Sequence, residues 1–134
     1  MQKLTLIPYN INMRLNDKYT IFGHSGFLGK NIINILKKNK IKYFLPQKKK
    51  IKFSHNLGHI IYCIGIYNVL EEPIRSIDAS LKILSKIVLG NKFKSFTLIS
   101  STRLYLNSEK TNENDKICIN PNSRDYFFNS IRLA

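Results

Sequence analysis

Seven consecutive residues carry three glycines at a spacing typical of a phosphate-binding turn: Gly23, His24, Ser25, Gly26, Phe27, Leu28 and Gly29. The first glycine permits a tight turn, the second lets a pyrophosphate approach the backbone, and the third lets a helix pack closely on a strand. A helix that begins here directs unpaired backbone amides and the positive end of its dipole toward the phosphates. The motif therefore predicts a dinucleotide-binding site.

The segments on either side of this motif have the patterns that such a site requires. Residues 19–23 (YTIFG) are a short run of β-branched and aromatic residues that ends at glycine, which predicts a strand. After the turn, apolar residues recur at helical spacing: Leu28, Ile32, Ile35 and Leu36. Residues 1–18 are interpreted as an N-terminal extension with at most one short strand, and residues 19–134 as a single domain.

The rest of the chain predicts further strands that alternate with helices. Strands are predicted at three places: residues 41–46, 60–66 and 96–101. The run at 60–66 has no polar alternation and is typical of a strand covered by helices on both faces, and the run at 96–101 is predicted to be buried as well. One helix is predicted from Pro73 to a cap at Gly90, and another begins near Asp125 after a polar loop. This alternation specifies the α/β class, with a doubly wound parallel sheet.

Three segments, in this order, resemble the extended short-chain dehydrogenase/reductases, also called the NAD-dependent epimerase/dehydratase family: GHSGFLGKNI, HIIYCIGI and FKSFTLISSTRLY. The resemblance covers residues 19–134 and implies a Rossmann-type fold that is incomplete at the C-terminus, because members of the family are considerably longer. It implies cofactor contacts from the whole glycine loop and from Ile64, Gly65 and Ile66 at a strand end beneath the cofactor. Many members act on a sugar ring attached to a nucleotide, with a tightly held NAD or NADP.

The resemblance also implies catalytic residues, and here the chain departs from the family. Ser101 matches a hydroxyl that hydrogen-bonds the reacting sugar oxygen, and Tyr126 matches the tyrosine that moves its proton, but the lysine expected four residues later is Ser130. In the other frame the tyrosine becomes Phe128 and the lysine becomes Arg132. A phenol with a pKa near 10 needs a neighbouring positive charge to act as a base near neutrality. Enzymatic activity is therefore left open, and a non-catalytic dinucleotide-binding or partner-binding domain is the alternative.

The region after the second predicted strand bears on the choice of cofactor. An acidic residue there would bind the ribose 2′-hydroxyl of NAD, but the sequence is Gln47-Lys48-Lys49-Lys50. Lysines can instead receive the 2′-phosphate of NADP, and a solvated loop is the alternative reading. The predicted cofactor is NADP or NAD. The short connection to His59 also predicts that the usual third strand and its helix are compressed or absent.

The family's C-terminal part supplies most of the substrate pocket and the remaining sheet. A chain without it is expected to expose apolar surface and an unpaired sheet edge. The predicted partners are therefore a dinucleotide cofactor, a nucleotide-sugar substrate implied by the resemblance, and a second copy of the chain or a partner chain.

The composition fits one globular domain of 134 residues, with 43% hydrophobic and 22% charged residues. No apolar run approaches the roughly 20 residues of a membrane-spanning helix. The N-terminus also lacks the features of a signal peptide, so a cytoplasmic location without a membrane partner is predicted. No metal is predicted, because the histidines and cysteines lack ligand spacing: His24, His55, His59, Cys63 and Cys118.

The net charge of +14 comes from 22 basic and 8 acidic residues. Only five of the basic residues are arginine, and an excess of Lys, Asn and Ile is typical of a general compositional bias. Tyr43, Phe44 and Phe53 are interleaved with lysines in a way that resembles a base-stacking surface. Because Tyr43 and Phe44 fall in a predicted core strand, nucleic acid is placed last among the predicted partners.

Overall fold

The computed structural model describes residues 17–47, 49–65, 72–100 and Asn122. These residues form four strands and a set of helical segments, in this order: β1 (Tyr19–Phe22), α1 (Phe27–Lys38), β2 (Tyr43–Phe44), β3 (His59–Tyr62), α2 (Pro73–Ile77), a π-helical segment (Asp78–Ile83), α3 (Leu84–Gly90) and β4 (Ser95–Leu98). The predicted alternation of strands and helices is confirmed over this part of the chain.

All strand pairs in the described sheet are parallel, and the order is β2-β1-β3-β4. Tyr19 is paired with Tyr43 on one side and with His59 on the other, and His59 is paired in turn with Ser95. The chain therefore moves outward in one direction after β1 and in the opposite direction after β3. This is the doubly wound α/β topology that the sequence predicts.

The alternation of side chains along β1 divides the core between the two faces of the sheet. Tyr19 and Ile21 pack with Leu36 of α1 and with Ile41 on one face. Phe22 belongs to a cluster on the other face, with Leu57, Ile60, Tyr62 and Ile87. Every residue of β1 is buried, because helices cover both faces there.

The β2 region is less regular than the sequence predicts. A strand is predicted over residues 41–46, but only Tyr43–Phe44 form one. Pro46 has no N–H group to donate to a neighbouring strand, which explains why pairing does not continue. No strand or helix occurs in the described residues between β2 and β3, so the prediction that the third strand and its helix are compressed or absent is confirmed for these residues.

The helix predicted from Pro73 to Gly90 is present, but a π-helical segment interrupts it and its C-terminal cap is not the predicted glycine. Gly90 is the last residue of α3, and Asn91 is the cap. The amide group of Asn91 donates to the carbonyl oxygens of Ile87 (2.9 Å) and Ile51 (2.8 Å), and its side-chain oxygen accepts from the Phe53 amide (2.9 Å). The prediction of a glycine cap is wrong because a side chain that also holds the 51–53 loop satisfies the helix end.

The strand predicted over residues 96–101 is shifted to Ser95–Leu98 and is less buried than predicted. Phe96 and Leu98 pack against the cluster around Tyr62, while Ser95 and Thr97 are exposed. In the described part of the sheet β4 has a neighbour on one side only, so its other edge has no partner among the described strands. The prediction that this strand is buried is therefore wrong for the described residues.

Replacing Tyr62 with phenylalanine tests the contact between the sheet and the π-helical segment. Tyr62 is 1% exposed, and its hydroxyl donates a hydrogen bond to the carbonyl oxygen of Ala79, which is also buried. Burial raises the pKa of Tyr62, so the group remains a donor at physiological pH. We expect Tyr62→Phe to lower the free energy of unfolding by about 1–3 kcal/mol, because it leaves the carbonyl unpaired. An unchanged midpoint of urea unfolding would contradict this expectation.

Candidate functional site

The candidate site lies at the carboxyl ends of β1 and β3. Phe22 and Tyr62, the last residues of these strands, are paired in register, and the glycine loop follows Phe22 directly. The chain departs from β1 and β3 to opposite sides of the sheet, so a crevice is expected between their carboxyl ends. Ligands of open α/β sheets bind at such a reversal of strand order.

Gly23 makes the turn from β1 into the loop in a conformation that favours glycine, with φ of +85°. A Cβ atom at this position would lie 2.7 Å from the carbonyl carbon and oxygen of Cys63 and from the nitrogen of Ile64. The backbone at the end of β3 thus occupies the space of a side chain. Only glycine allows the two strand ends to approach this closely.

Gly26 precedes the first residue of α1 and is its N-cap. Its amide donates to the carbonyl oxygen of Gly23 (3.0 Å), and its own carbonyl accepts from the amide of Lys30 (3.0 Å). The N–H groups of the first helical turn have no intrahelical acceptor, no side chain caps this end, and the first turn contains no acidic residue. The exposed end of α1 is therefore suited to an anion.

Gly29 brings the first turn of α1 against the loop. It is buried, and a Cβ atom here would overlap the carbonyl oxygen of Gly23 and the Cα atom of His24. Phe27 and Leu28, between the second and third glycines, expose 82% and 49% of their surfaces. Gly23 and Gly29 thus lie where a side chain would collide with backbone, and the approach of a pyrophosphate to Gly26 stays a prediction.

A cavity of about 390 Å³ opens beside the glycine loop, within the size range of small-molecule sites. The loop contributes Gly23, His24 and Ser25, and the segment after β2 contributes Gln47, Lys49 and Lys50. A turn in which the Lys50 amide donates to the carbonyl oxygen of Gln47 (3.1 Å) holds that segment together. The complete lining is: Phe22, Gly23, His24, Ser25, Pro46, Gln47, Lys49, Lys50, Ile51, Ile64, Arg75, Asp78, Ala79, Ile83 and Ile87.

Arg75 and Asp78 also line this cavity, and sequence reasoning missed both. Arg75 forms an ion pair with Glu72, and Asp78 lies 3.5 Å from the ammonium group of Lys82. Both lie near the start of the helical region after β3, and their only sequence signal is that position. They add one cation and one carboxylate to a cavity that Lys49 and Lys50 also line.

The residues after β3 divide into those that line the cavity and those that do not. Ile64 lines the cavity and packs against the core cluster. Gly65 is exposed, and a Cβ atom there would meet nothing within 4 Å. Cys63 donates its thiol hydrogen to the carbonyl oxygen of Phe22 (3.0 Å), and burial raises the pKa of the thiol. A neutral, hydrogen-bonded thiol is a structural group and not an activated nucleophile.

Three of the predicted site residues lie outside the described residues: Ile66, Ser101 and Tyr126. Their roles stay predictions. Among residues 17–47, 49–65 and 72–100, no three His, Cys, Asp or Glu side chains are grouped to hold a metal ion. In the same residues no helix is long and apolar enough to cross a bilayer.

The parallel sheet, the helices on both faces and the turn from β1 into α1 define an α/β protein of the Rossmann type. No protein-family model matches the chain, and no curated protein matches it significantly. Among solved structures it is similar to RMD from Pseudomonas aeruginosa, which was determined in complex with NADPH. The TM-score is 0.58 at 19% sequence identity, and the match covers 86% of this chain but only 45% of that protein. At this identity the likeness establishes the fold.

Proposed function

We propose that this chain binds NADP(H) at the carboxyl ends of β1 and β3. The observation that carries the proposal is the uncapped amino end of α1, which a glycine loop holds beside a cavity of about 390 Å³. The loop residues fit a dinucleotide because two of the glycines lie where any side chain would collide with backbone. The similarity to RMD in its NADPH complex supports the same ligand class.

In this proposal the glycine loop holds the pyrophosphate. The backbone amides of Phe27 and Leu28 in the first turn of α1 donate to phosphate oxygens, and Gly26 leaves room for the phosphates to approach. His24 and Ser25 line the cavity beside them. Ile64 supplies apolar contact, and further contacts from Gly65 and Ile66 are proposed from the sequence resemblance alone.

The charge around the cavity favours NADP over NAD. Residues 18–70 contain no Asp or Glu, so the segment after β2 has no carboxylate for a ribose 2′-hydroxyl. Lys49 and Lys50 line the cavity from this segment. In the proposal their ammonium groups bind the 2′-phosphate, with charge-assisted hydrogen bonds that NAD cannot make.

The chemistry we propose is oxidation or reduction of a nucleotide sugar, as the sequence resemblance implies. Bound NADP(H) supplies the hydride acceptor or donor for such a reaction. Ser101 is the proposed group that hydrogen-bonds the substrate oxygen, and Tyr126 is the proposed group that takes the hydroxyl proton in oxidation or returns a proton to the carbonyl oxygen in reduction. Ser130 stands where the family has a lysine, so Tyr126 lacks the neighbouring positive charge that lowers a phenol pKa. We therefore expect the chain to bind the cofactor more effectively than it catalyses a reaction.

A thermal melt with NADP, NAD and a buffer control tests the proposal. Ligand at 100 times its dissociation constant stabilises the folded state by about 2.7 kcal/mol, which for a chain of this size is a rise of about 10 °C in Tm. We expect a larger rise with NADP than with NAD at equal concentration. No rise with either dinucleotide at several millimolar would overturn the proposal.

Gly26→Asp is the variant that removes the anion site with little effect on the fold. Its φ of −78° and ψ of 173° suit an aspartate N-cap, and a Cβ atom would meet only the carbonyl oxygen of Gly23, at 3.4 Å. The new carboxylate would occupy the place of a phosphate and repel the phosphates of the ligand, so the ligand-induced rise in Tm should disappear. Asn34→Asp adds the same charge at an exposed position of α1 and should keep that rise.

A further inference from the structure

The net positive charge of this protein is concentrated in one part of the chain, which lacks acidic residues. Residues 18–70 contain no Asp, Glu or Arg but contain ten lysines: Lys18, Lys30, Lys37, Lys38, Lys40, Lys42, Lys48, Lys49, Lys50 and Lys52. A uniform bias toward lysine would raise the basic count throughout, but it would not by itself remove acidic residues from 53 consecutive positions. The block therefore raises the question of where these lysines lie in the fold.

The carboxylates of the described residues lie elsewhere. Asp17 binds Lys94 (2.5 Å) and lies 3.2 Å from His59, and the other two carboxylates, Glu72 and Asp78, pair within the helical region after β3. None of these four ion pairs involves a lysine between residues 18 and 52. The described lysines of the block thus form no ion pair with a described carboxylate.

The block surrounds β2, which lies at one end of the described sheet. Lys37 and Lys38 end α1, Lys40 and Lys42 lead into β2, and Lys52 follows it, all of them exposed. We call these five lysines, together with Phe44, Phe53 and His55, the β2-edge surface. It is distinct from the cavity, whose lysines are Lys49 and Lys50.

Aromatic rings lie beside two other lysines of the block, Lys18 and Lys50. The rings of Phe44, Phe53 and His55 have centroids 5.3–5.7 Å apart, and His55 is exposed while both phenylalanines are half-buried. The ammonium group of Lys18 lies 4.8 Å from the centre of the Phe44 ring, and that of Lys50 lies 5.3 Å from the centre of the Phe53 ring. Cations thus already occupy positions over the faces of two rings.

We propose that the β2-edge surface binds single-stranded nucleic acid. Exposed ammonium groups that have no carboxylate partner among the described residues bind phosphates and release counterions, and the exposed His55 ring accepts an unpaired base by stacking. Duplexes keep their bases stacked internally, so the aromatic group favours single strands. DNA and RNA share the phosphates and base faces that this surface contacts, and the test includes both.

Fluorescence anisotropy with labelled 20-nucleotide oligo-dT and oligo-U, titrated with the full chain, tests the proposal. The dependence of log K on log salt concentration for single strands has a slope of about −0.7 per phosphate contacted, so three to five contacts predict a slope of about −2 to −3.5. We expect binding of one or both oligonucleotides with such a slope, and weaker binding of a duplex of equal length. Absence of binding at low salt, or equal binding of the duplex, would overturn the proposal.

Two double variants, each of which removes two positive charges, distinguish binding at a localised surface from general electrostatic attraction. Lys38→Gln with Lys42→Gln removes two charges beside β2, and we expect about a tenfold loss of affinity and a salt slope smaller by about 1.4. Lys82→Gln with Lys86→Gln removes two exposed charges from the helical region after β3 and should change affinity less than twofold. Equal losses in both double variants would overturn the proposal.

His55→Ala tests the aromatic group without disturbing the core, because this ring is exposed. We expect about a fivefold loss of affinity with an unchanged salt slope, since stacking involves no phosphate. An unchanged affinity would remove stacking from the proposal and so overturn it. Gly26→Asp should not affect oligonucleotide binding, so failure of nucleotide binding in the cavity and failure of this surface are distinguishable.

Discussion

Gly23→Ala is expected to destabilise the protein by about 3–5 kcal/mol, an effect that few single substitutions reach. The φ of +85° alone costs an alanine about 1 kcal/mol or more. The added methyl group would also lie 2.7 Å from three backbone atoms of Cys63 and Ile64, so the ends of β1 and β3 must separate. Urea unfolding followed by circular dichroism measures the change in the free energy of unfolding.

Gly90→Ala is the matched control for this substitution. Gly90 ends α3, and a Cβ atom there meets nothing within 4 Å. Alanine restricts the unfolded chain more than glycine does, so this variant should be as stable as the wild type or more stable by up to about 1 kcal/mol. A Gly23→Ala variant within 1 kcal/mol of the wild type would mean that the two strand ends are not closely packed.

The elements that sequence reasoning predicts well are those whose signals are local. The strand Tyr19–Phe22, the glycine turn and the helix Phe27–Lys38 follow from an apolar run, three glycines and a periodic pattern that lie next to one another. The geometry at Gly23 and Gly29 also follows, because the motif specifies which positions have no room for a side chain.

The features that the sequence did not predict depend on contacts between distant residues. Asn91 caps α3 while binding Ile51 and Phe53, about 40 positions earlier. Glycine is the usual cap signal, so a sequence pattern selects Gly90 and misses the side chain that does the capping. The exposure of Ser95 and Thr97 in β4 is a similar case, since an apolar run does not reveal what packs over each face of a strand.

The lining of the candidate site also contains residues that the sequence predicts and residues that it does not. The glycines predict the loop side of the cavity, whereas Arg75 and Asp78 line it through the fold, from a helical region about 50 positions later in the chain. The charged residues of this region belong to no recognisable motif. Arg75 with Glu72, and Asp78 with Lys82, have the spacing of ordinary ion pairs on the surface of a helix.

Neutralising Lys49 and Lys50 is expected to have the largest effect on ligand selection. The double variant Lys49→Gln and Lys50→Gln should weaken NADP binding about 100-fold or more and change NAD binding less than threefold. The physical reason is that a hydrogen bond between charged groups contributes about 1.5–3 kcal/mol, or about ten- to hundredfold for each lysine. Calorimetric titration with each dinucleotide measures both affinities.

Lys42→Gln with Lys52→Gln is the control for general electrostatic attraction. Both residues are exposed and outside the cavity, so NADP and NAD should bind this variant nearly as they bind the wild type. If both double variants lost affinity for NADP and NAD equally, long-range attraction and not recognition of a 2′-phosphate would explain the effect.

Lys49 offers a sharper test because its backbone is strained. Its φ of +73° lies in the left-handed region, which glycine adopts at no steric cost and a lysine does not. Lys49→Gly relieves the strain, so the free energy of unfolding should stay the same or rise, while NADP affinity falls about tenfold through loss of the ammonium group. A purely structural lysine would change stability without changing the ratio of NADP to NAD affinity, and that result would exclude Lys49 from the cofactor site.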